Sequence, residues 1–332
     1  MKKVLAGLAV GAMAVTARRY WTTRAAVAAV PVDLRSPLLP LLTMDVTPRS
    51  LRTSRLGYRV STRPGPGVAM TRRSIDGRLP VLVLAPTAPS GAHTRPAVLY
   101  IHGGGMITGS PQTEAMGSGA LARQLDAVVV SPDYRLAPEH PFPAALDDCM
   151  ATLNWMRDNA DELGLDPDRI AVAGSSAGGG LSAAVAQRAH DEGIALRAQA
   201  LIYPMLDDRT VLRDSGGRGR FLWTPESNRF GWTAYLGRPP RMSDAPAYAA
   251  PARREDLSGL APAWVGVGDL DLFYDESVDY AQRLTAAGVA CELVTVAGMY
   301  HGADGLAAKH PAMKDFRRGV AEHLRTYLNP PS

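Results

Sequence analysis

The chain has 332 residues, 46% hydrophobic and 20% charged, a composition that supports a sizeable core and excludes a disordered chain. Its two cysteines, Cys149 and Cys291, build neither a disulfide framework nor a metal-ligand spacing, so both read as small buried apolar residues. Charge is uneven: through residue 75 thirteen Lys/Arg face only Asp33 and Asp45, a balance of +11 that leaves −7 for the rest of a chain of net charge +4.

At the N-terminus, Lys2 and Lys3 precede twelve apolar residues, Val4 to Val15. These resemble the n-region and h-region of a signal peptide, with Val15-Thr16-Ala17 as a cleavage site. Arg18 and Arg19 follow directly, a poor flank for export, and the stretch is shorter than the about 20 residues that span a bilayer. A membrane-associated helix, a weak signal peptide and the first helix of a cap all stay open. The arginines favour a cytoplasmic chain, with membrane association through residues 1–20 and secretion as alternatives. The basic residues of this segment are scattered, without aromatic interleaving, so no nucleic-acid partner is expected. They read as a solvated face, with peripheral membrane contact left open. A homodimer is left open too.

Residues 1–50 thus form a basic segment and 51–332 the folded body. Strand-like runs occur at Gly57–Val60, Val81–Ala85, Ala97–Ile101, Ala127–Ser131, Ile170–Ala173, Ala198–Tyr203, Ala263–Val267 and Glu292–Val296. Helical patterns lie between the later ones: Glu114–Leu125, Ala144–Asn159, Leu181–His190 and Ser277–Ala287. Such alternation means βαβ crossovers and a mostly parallel sheet of eight strands with helices on both faces. From Leu206 to about Asp256 the rhythm breaks into polar glycines and then Phe221, Trp223, Phe230, Trp232 and Tyr235. A structureless loop of that length is improbable in a compact domain, so an inserted helical cap, its aromatics facing a cleft, is expected over about 206–256.

Two motifs carry chemistry. Gly174-Ser175-Ser176-Ala177-Gly178 follows a strand-like run and leads into a helical one, the setting of a nucleophile elbow, where the Ser176 hydroxyl projects from the top of a sheet. His102-Gly103-Gly104-Gly105 follows another strand-like run, and its glycines let backbone N–H groups approach a developing oxyanion. A serine needs a base oriented by a third group, in the chain order Ser, acid, His. Of the seven histidines, His93, His102 and His140 precede the serine and His190 ends the elbow helix, while His310 and His323 belong to the terminal helical pattern. His301, just past the last strand, remains as the base, and His102 with Gly103 reads as support for the glycine loop. For the acid, spacing leaves Asp269 and Asp271 tied at the end of a strand, whereas Asp275 with Glu276 suits the N-terminus of the next helix.

Together with the segment Tyr134-Arg135-Leu136-Ala137-Pro138-Glu139-His140-Pro141-Phe142-Pro143-Ala144-Ala145, these motifs resemble the hormone-sensitive-lipase-like esterases of the α/β-hydrolase fold, from about Ala97 to Gly302. The resemblance implies carboxylester hydrolysis of a small-molecule ester, without metal or cofactor. It matches the family's acid motif to Asp271-Leu272-Phe273-Tyr274-Asp275-Glu276, which favours Asp271, and carries the oxyanion donors over to the amides of Gly104, Gly105 and Ala177. It also implies a cap built from the N-terminal segment plus an insertion. Three positions depart from the pattern. Ser175 stands where many members have an acid, which removes a charge from the elbow; Leu272 replaces a proline; Ala303 replaces a frequent aromatic.

The reading is a serine carboxylesterase for short- to medium-chain acyl esters. A catalytically silent binding protein on the same scaffold is the alternative, as are a lipase, a lactone hydrolase or an amidase using the same three residues. The glycines at 174, 178, 179 and 180 do not fit the Gly-x-Gly-x-x-Gly spacing of a dinucleotide site.

Overall fold

The computed structural model describes residues 23–43, 45–57, 62–88 and 94–329. Eight strands form one sheet: β1 (Val68–Ile75), β2 (Leu79–Pro86), β3 (Arg95–Ile101), β4 (Val128–Pro132), β5 (Leu165–Ser175), β6 (Gln199–Ile202), β7 (Ala263–Gly268) and β8 (Cys291–Val296). Their order is β1-β2-β4-β3-β5-β6-β7-β8. β2 runs antiparallel to both neighbours, and the pairings from β4 through β8 are parallel.

Alternation along β3 shows why both faces are covered. Ala97, Leu99 and Ile101 join Val128, Val130 and Val172 in one core, packed by the helices Ala144–Asp158 and Ala177–Asp191. Val98 and Tyr100 point the other way, with Leu82, Val129 and Ala173, onto Ala115–Leu125 and Pro311–Leu328. Successive side chains of a strand leave opposite faces, so a continuous apolar run fills two cores at once.

Seven of the eight expected strands appear where the apolar runs lie. Of the eighth run, Gly57–Val60, only the first residue is described: Gly57 ends the helix Leu51–Gly57, and residues 58–60 lie outside those described. The first strand among the described residues, β1, carries no apolar pattern, because it is an edge strand exposed at nearly every position. Its Arg72 and Arg73 suit an edge, where charge discourages pairing with other chains.

The segment between β6 and β7 contains short helical turns at Asp208–Leu212 and Pro251–Arg253 and the helix Pro225–Leu236. Pro225 opens that helix and the Thr224 hydroxyl accepts from the Ser227 amide, a polar N-cap. Residues near the N-terminus dock on it: the Leu222 amide donates to the Leu42 carbonyl (2.7 Å), the Val46 amide to the Ser227 hydroxyl (2.8 Å), and the Thr224 hydroxyl to Asp45 (2.5 Å). Residues 1–22, with their membrane, leader and cap readings, lie outside the described residues. Among the described residues no helix is long and apolar enough to cross a membrane.

The basic N-terminal region is not simply solvated. Arg55 grips both oxygens of Glu139 (2.7 Å each) and the carbonyls of Ala137 (2.9 Å) and Ile107 (2.8 Å), and its guanidinium pulls the Glu139 carboxyl down to about 2. Cys149 is buried as expected, whereas Cys291 is only half-buried, because β8 is the far edge of the sheet.

Candidate active site

β5 passes into the helix Ala177–Asp191 through Ser176, held at φ 56 and ψ −120. A serine there stores backbone strain of about 1–3 kcal/mol. β6, the loop after it and the elbow helix hold it in place: its amide donates to the Ile202 carbonyl (2.8 Å), and its carbonyl accepts from the Gly180 and Met205 amides (3.0 Å each). The small residues around it answer to close backbone approach. A Cβ on Gly178 would sit 2.0 Å from the Ile101 carbonyl oxygen, so a side chain there would drive the helix off the end of β3.

His301, in the loop after β8, faces the serine. Its Nε2 lies 2.9 Å from Ser176 Oγ and its Nδ1 2.8 Å from Asp271 Oδ2. Asp271 is fully buried at the end of β7, and its second oxygen accepts from the Phe273 amide at 2.9 Å. A carboxylate against Nδ1 fixes the proton on that nitrogen and leaves Nε2 free to accept one. The rings of Tyr203 and Phe273 meet the imidazole edge-on, with centroids 4.8 and 5.4 Å away.

The other two acids do different work. Asp269 accepts from the Gly298 amide at 2.7 Å, so it holds the turn that carries His301 without touching the ring. Asp275 lies in the first turn of the helix Tyr274–Ala286, as expected, and pairs with Arg218 at 2.7 Å. Glu276 also lies in that first turn, as expected, but its side chain does not serve the helix. It turns inward and accepts from the Leu206 and Asp207 amides and the Thr210 hydroxyl. Those amides lie buried after β6 and need an acceptor, which outweighs the helix dipole; burial holds the Glu276 carboxyl well above the usual carboxylate range.

The glycine loop aims its amides through its carbonyls. In a planar trans peptide the C=O and the following N–H point in opposite directions. The Gly103 carbonyl is held by His102 Nδ1 at 2.8 Å. The Gly104 carbonyl accepts from the Ile107 amide (3.1 Å) and from the Thr108 amide and hydroxyl (2.9 Å each). The Gly104 and Gly105 N–H groups therefore face away from these anchors, and the Ala177 N–H faces away from the anchored Ser176 carbonyl. None of the three has an acceptor among the described residues. Pairing of Ile101 with Gly174 sets the glycine loop beside the elbow, so the three donors gather around Ser176. Positive φ at Gly104 (113°) and Gly105 (63°) excludes other residues from this path.

His102 lies against the glycine loop. Its ring is buried and stacks on Tyr134 at 4.1 Å, burial lowers its pKa to about 4, and its Nδ1–H serves the Gly103 carbonyl. Trp223 lies over the loop: a Cβ on Gly105 would come within 2.0 Å of its indole. Of the other aromatics in that segment, Phe221 meets Tyr300, while Trp232 and Tyr235 pack inward, Tyr235 against Phe142. A cavity of about 700 Å³ opens among Ala25, Ala26, Thr43, Asp45, Phe221 and Leu270, and neither Ser176 nor His301 lines it. No cluster of three or more potential metal ligands occurs among the described residues.

Comparison with known proteins identifies the fold and the class of enzyme. Residues 98–304 match a family model described as α/β hydrolase fold. The chain is 42% identical over 250 residues to the carboxylesterase NlhH of Mycobacterium tuberculosis, an overlap of 73% of this chain and 77% of that one. It is 36% identical over 228 residues to an arylesterase of Saccharolobus solfataricus, covering 68% and 73% of the two chains. Among solved structures it is similar to a bacterial heroin esterase, with a TM-score of 0.82, 33% identity and coverage of 92% and 99%. The chain belongs to the hormone-sensitive-lipase-like esterases of the α/β-hydrolase fold.

Within that family its departures acquire a structural meaning. Ser175 suggests an elbow without a neighbouring charge, and the structure corrects this. The Ser175 hydroxyl lies 3.0 Å from both oxygens of Glu114, a carboxylate supplied by the element after β3. Leu272 is buried against Gly219, joining the acid loop to the 206–256 segment. Ala303 begins the short helix Ala303–Leu306 and is fully buried. Sequence reasoning missed Glu114, Tyr203 and the placement of Trp223; Glu114 read only as the start of a helix.

Proposed function

We propose that this carboxylic ester hydrolase acts on short- to medium-chain acyl esters through an acyl-enzyme formed on Ser176. The observation that carries the reading is the unbroken line Asp271–His301–Ser176, at 2.8 and 2.9 Å, beside three amides without acceptors among the described residues. Ser176 Oγ attacks the ester carbonyl carbon as His301 Nε2 takes the hydroxyl proton. Asp271 keeps the ring oriented and stabilises the imidazolium. Charge on the carbonyl oxygen is met by the Gly104, Gly105 and Ala177 N–H groups, a site where each donor is worth about 10²–10³ in rate. Collapse breaks the ester C–O bond, and the proton passes from Nε2 to the departing alkoxide. Water, deprotonated by the same nitrogen, then releases the acid and restores Ser176.

The segment 206–256 acts as a cap together with the N-terminal residues docked on it. Trp223 over Gly105 supports this role, since its indole stands at the edge of the oxyanion loop and shortens the space beside it. Each methylene buried on binding is worth about 0.8 kcal/mol, roughly fourfold in kcat/KM, until the chain meets protein. With p-nitrophenyl esters from acetate to palmitate, kcat/KM is expected to rise with chain length, peak at or below about eight carbons and then fall. Highest efficiency on palmitate, or activation at a lipid–water interface, would make the protein a lipase; no turnover of any ester would leave a silent binding scaffold.

A further inference from the structure

One carboxylate near the site takes no part in this mechanism. Glu114 stands at the N-cap of the helix Ala115–Leu125, yet its side chain caps nothing there. An acid in that position ordinarily serves the helix amides or dipole. Instead Glu114 turns toward the sheet and gathers three donors from separate parts of the fold. Its Oε1 accepts from the Gly103 amide at 2.7 Å, and its Oε2 from the Tyr100 hydroxyl at 2.8 Å. The Ser175 hydroxyl lies 3.0 Å from each oxygen. The carboxylate therefore ties the glycine loop to the residue immediately before the nucleophile.

The three donors are not equivalent. The hydroxyls of Tyr100 and Ser175 can donate or accept, so either can adapt to a different partner. The Gly103 N–H can only donate, and Glu114 is its acceptor. That N–H belongs to the first peptide of the loop, whose next two peptides present the Gly104 and Gly105 amides. His102 holds the second peptide and the residues 107–108 hold the third; Glu114 holds the first. Without it the first peptide keeps only the Tyr134 hydroxyl, which donates to its His102 carbonyl at 3.0 Å, and its N–H is left without an acceptor, a loss that favours turning the peptide and with it the amides that follow.

We propose that Glu114 is a positioning residue for the oxyanion hole, an anionic staple that aligns the Gly104 and Gly105 amides with Ser176 and replaces, from another element, the acid that many relatives carry at position 175. The proposal rests on the esterase reading above. It makes the hydroxyl of Ser175 and the carboxylate of Glu114 an exchanged pair. Ser175 Oγ lies 3.1 Å from where a Cβ on Gly103 would stand, so a carboxylate at 175 would stand beside the residue whose amide Glu114 holds.

The test is a set of variants, Glu114→Ala, Glu114→Gln and the double change Ser175→Asp with Glu114→Ala, assayed on p-nitrophenyl butyrate. Loss of an oxyanion donor outright costs about 10²–10³, so misaiming two of them in Glu114→Ala should lower kcat about 100-fold. KM should stay within about threefold, because the acyl-binding surface is untouched. A trifluoromethyl ketone, which forms a tetrahedral oxyanion adduct, should lose affinity in proportion to kcat/KM. The double variant should recover at least about tenfold of the lost kcat, since the carboxylate returns beside the same amide. Glu114→Gln keeps one acceptor oxygen and should fall between Ala and wild type; if Glu114→Ala does not fold, this variant carries the test, with about a tenfold loss of kcat at unchanged KM.

Wild-type kcat in the variant that carries the test would overturn the proposal. So would a double variant that is folded but no faster than Glu114→Ala, or ketone affinity unchanged while kcat falls. Wild-type turnover, together with labelling of Ser176 by diethyl p-nitrophenyl phosphate, is measured first. An inactive wild type sinks the esterase reading, whereas an active wild type with an indifferent Glu114 sinks this proposal alone.

Discussion

Ser176→Ala is expected to lower kcat on p-nitrophenyl butyrate by about 10⁶ while leaving thermal unfolding close to wild type. Loss of a serine nucleophile costs on that order, because no other group can form the covalent intermediate. Residual turnover over water would come from the oxyanion amides and substrate binding alone. Little stability should change, since the hydroxyl's one side-chain partner is His301, at 2.9 Å, and the residue's structural burden falls on its backbone. The strained φ of 56° is no easier for alanine than for serine, so the elbow keeps its shape. Near-normal rates in Ser176→Ala, with loss in Ser175→Ala, would shift the nucleophile by one residue.

Asp271→Asn should lower kcat by about 10⁴ at near-normal folding, and Asp269→Asn should be mild. The first change replaces the acceptor at His301 Nδ1 by a group that can donate, which favours the tautomer with its proton on Nε2. That nitrogen then has no lone pair for the serine proton. Asp269 accepts one bond from the Gly298 amide, and an asparagine carbonyl can accept the same bond. The opposite ranking would assign the orienting acid to Asp269. Spacing in the sequence could not separate the two, since both follow β7 within a few residues; the difference is a matter of which carboxylate the loop turns inward.

The parts of the fold legible in the sequence are those where one local pattern dictates the outcome. Apolar runs such as Ala97–Ile101 announce central strands because both faces are buried there. The elbow and the glycine loop are legible because tight turns admit few residues. The start of the elbow helix was harder. The glycines at 178, 179 and 180 argue against a helix by propensity, yet the helix begins at Ala177. Tertiary contact decides, since close approach of Ile101 and Met205 carbonyls leaves no room for side chains. β1 was illegible for the reverse reason: an exposed edge strand has no hydrophobic alternation to read.

Within the site, the candidate nucleophile and base follow from chain order, but the supporting contacts do not. Glu114 precedes Ser175 by sixty-one residues, and nothing local marks it as more than a helix start. Its role emerges only when β3 and β5 pair side by side and bring the glycine loop, the elbow and the intervening helix together. Glu276 is a similar case, since buried amides after β6 draw it inward from the position that its own helix would favour. Long-range demand for hydrogen-bond acceptors, invisible in local pattern, places both carboxylates.

The central claim is that Ser176 forms the covalent intermediate, and covalent trapping tests it most directly. The folded protein is treated with diethyl p-nitrophenyl phosphate, digested, and the modified residue located by tandem mass spectrometry, with Ser176→Ala and Ser175→Ala treated in parallel. The account predicts one phosphoryl group per chain, on Ser176, its appearance matching the loss of esterase activity, with Ser175→Ala still labelled and Ser176→Ala not. Label on Ser175 or on a residue outside the elbow, or full inactivation without modification of Ser176, would contradict it.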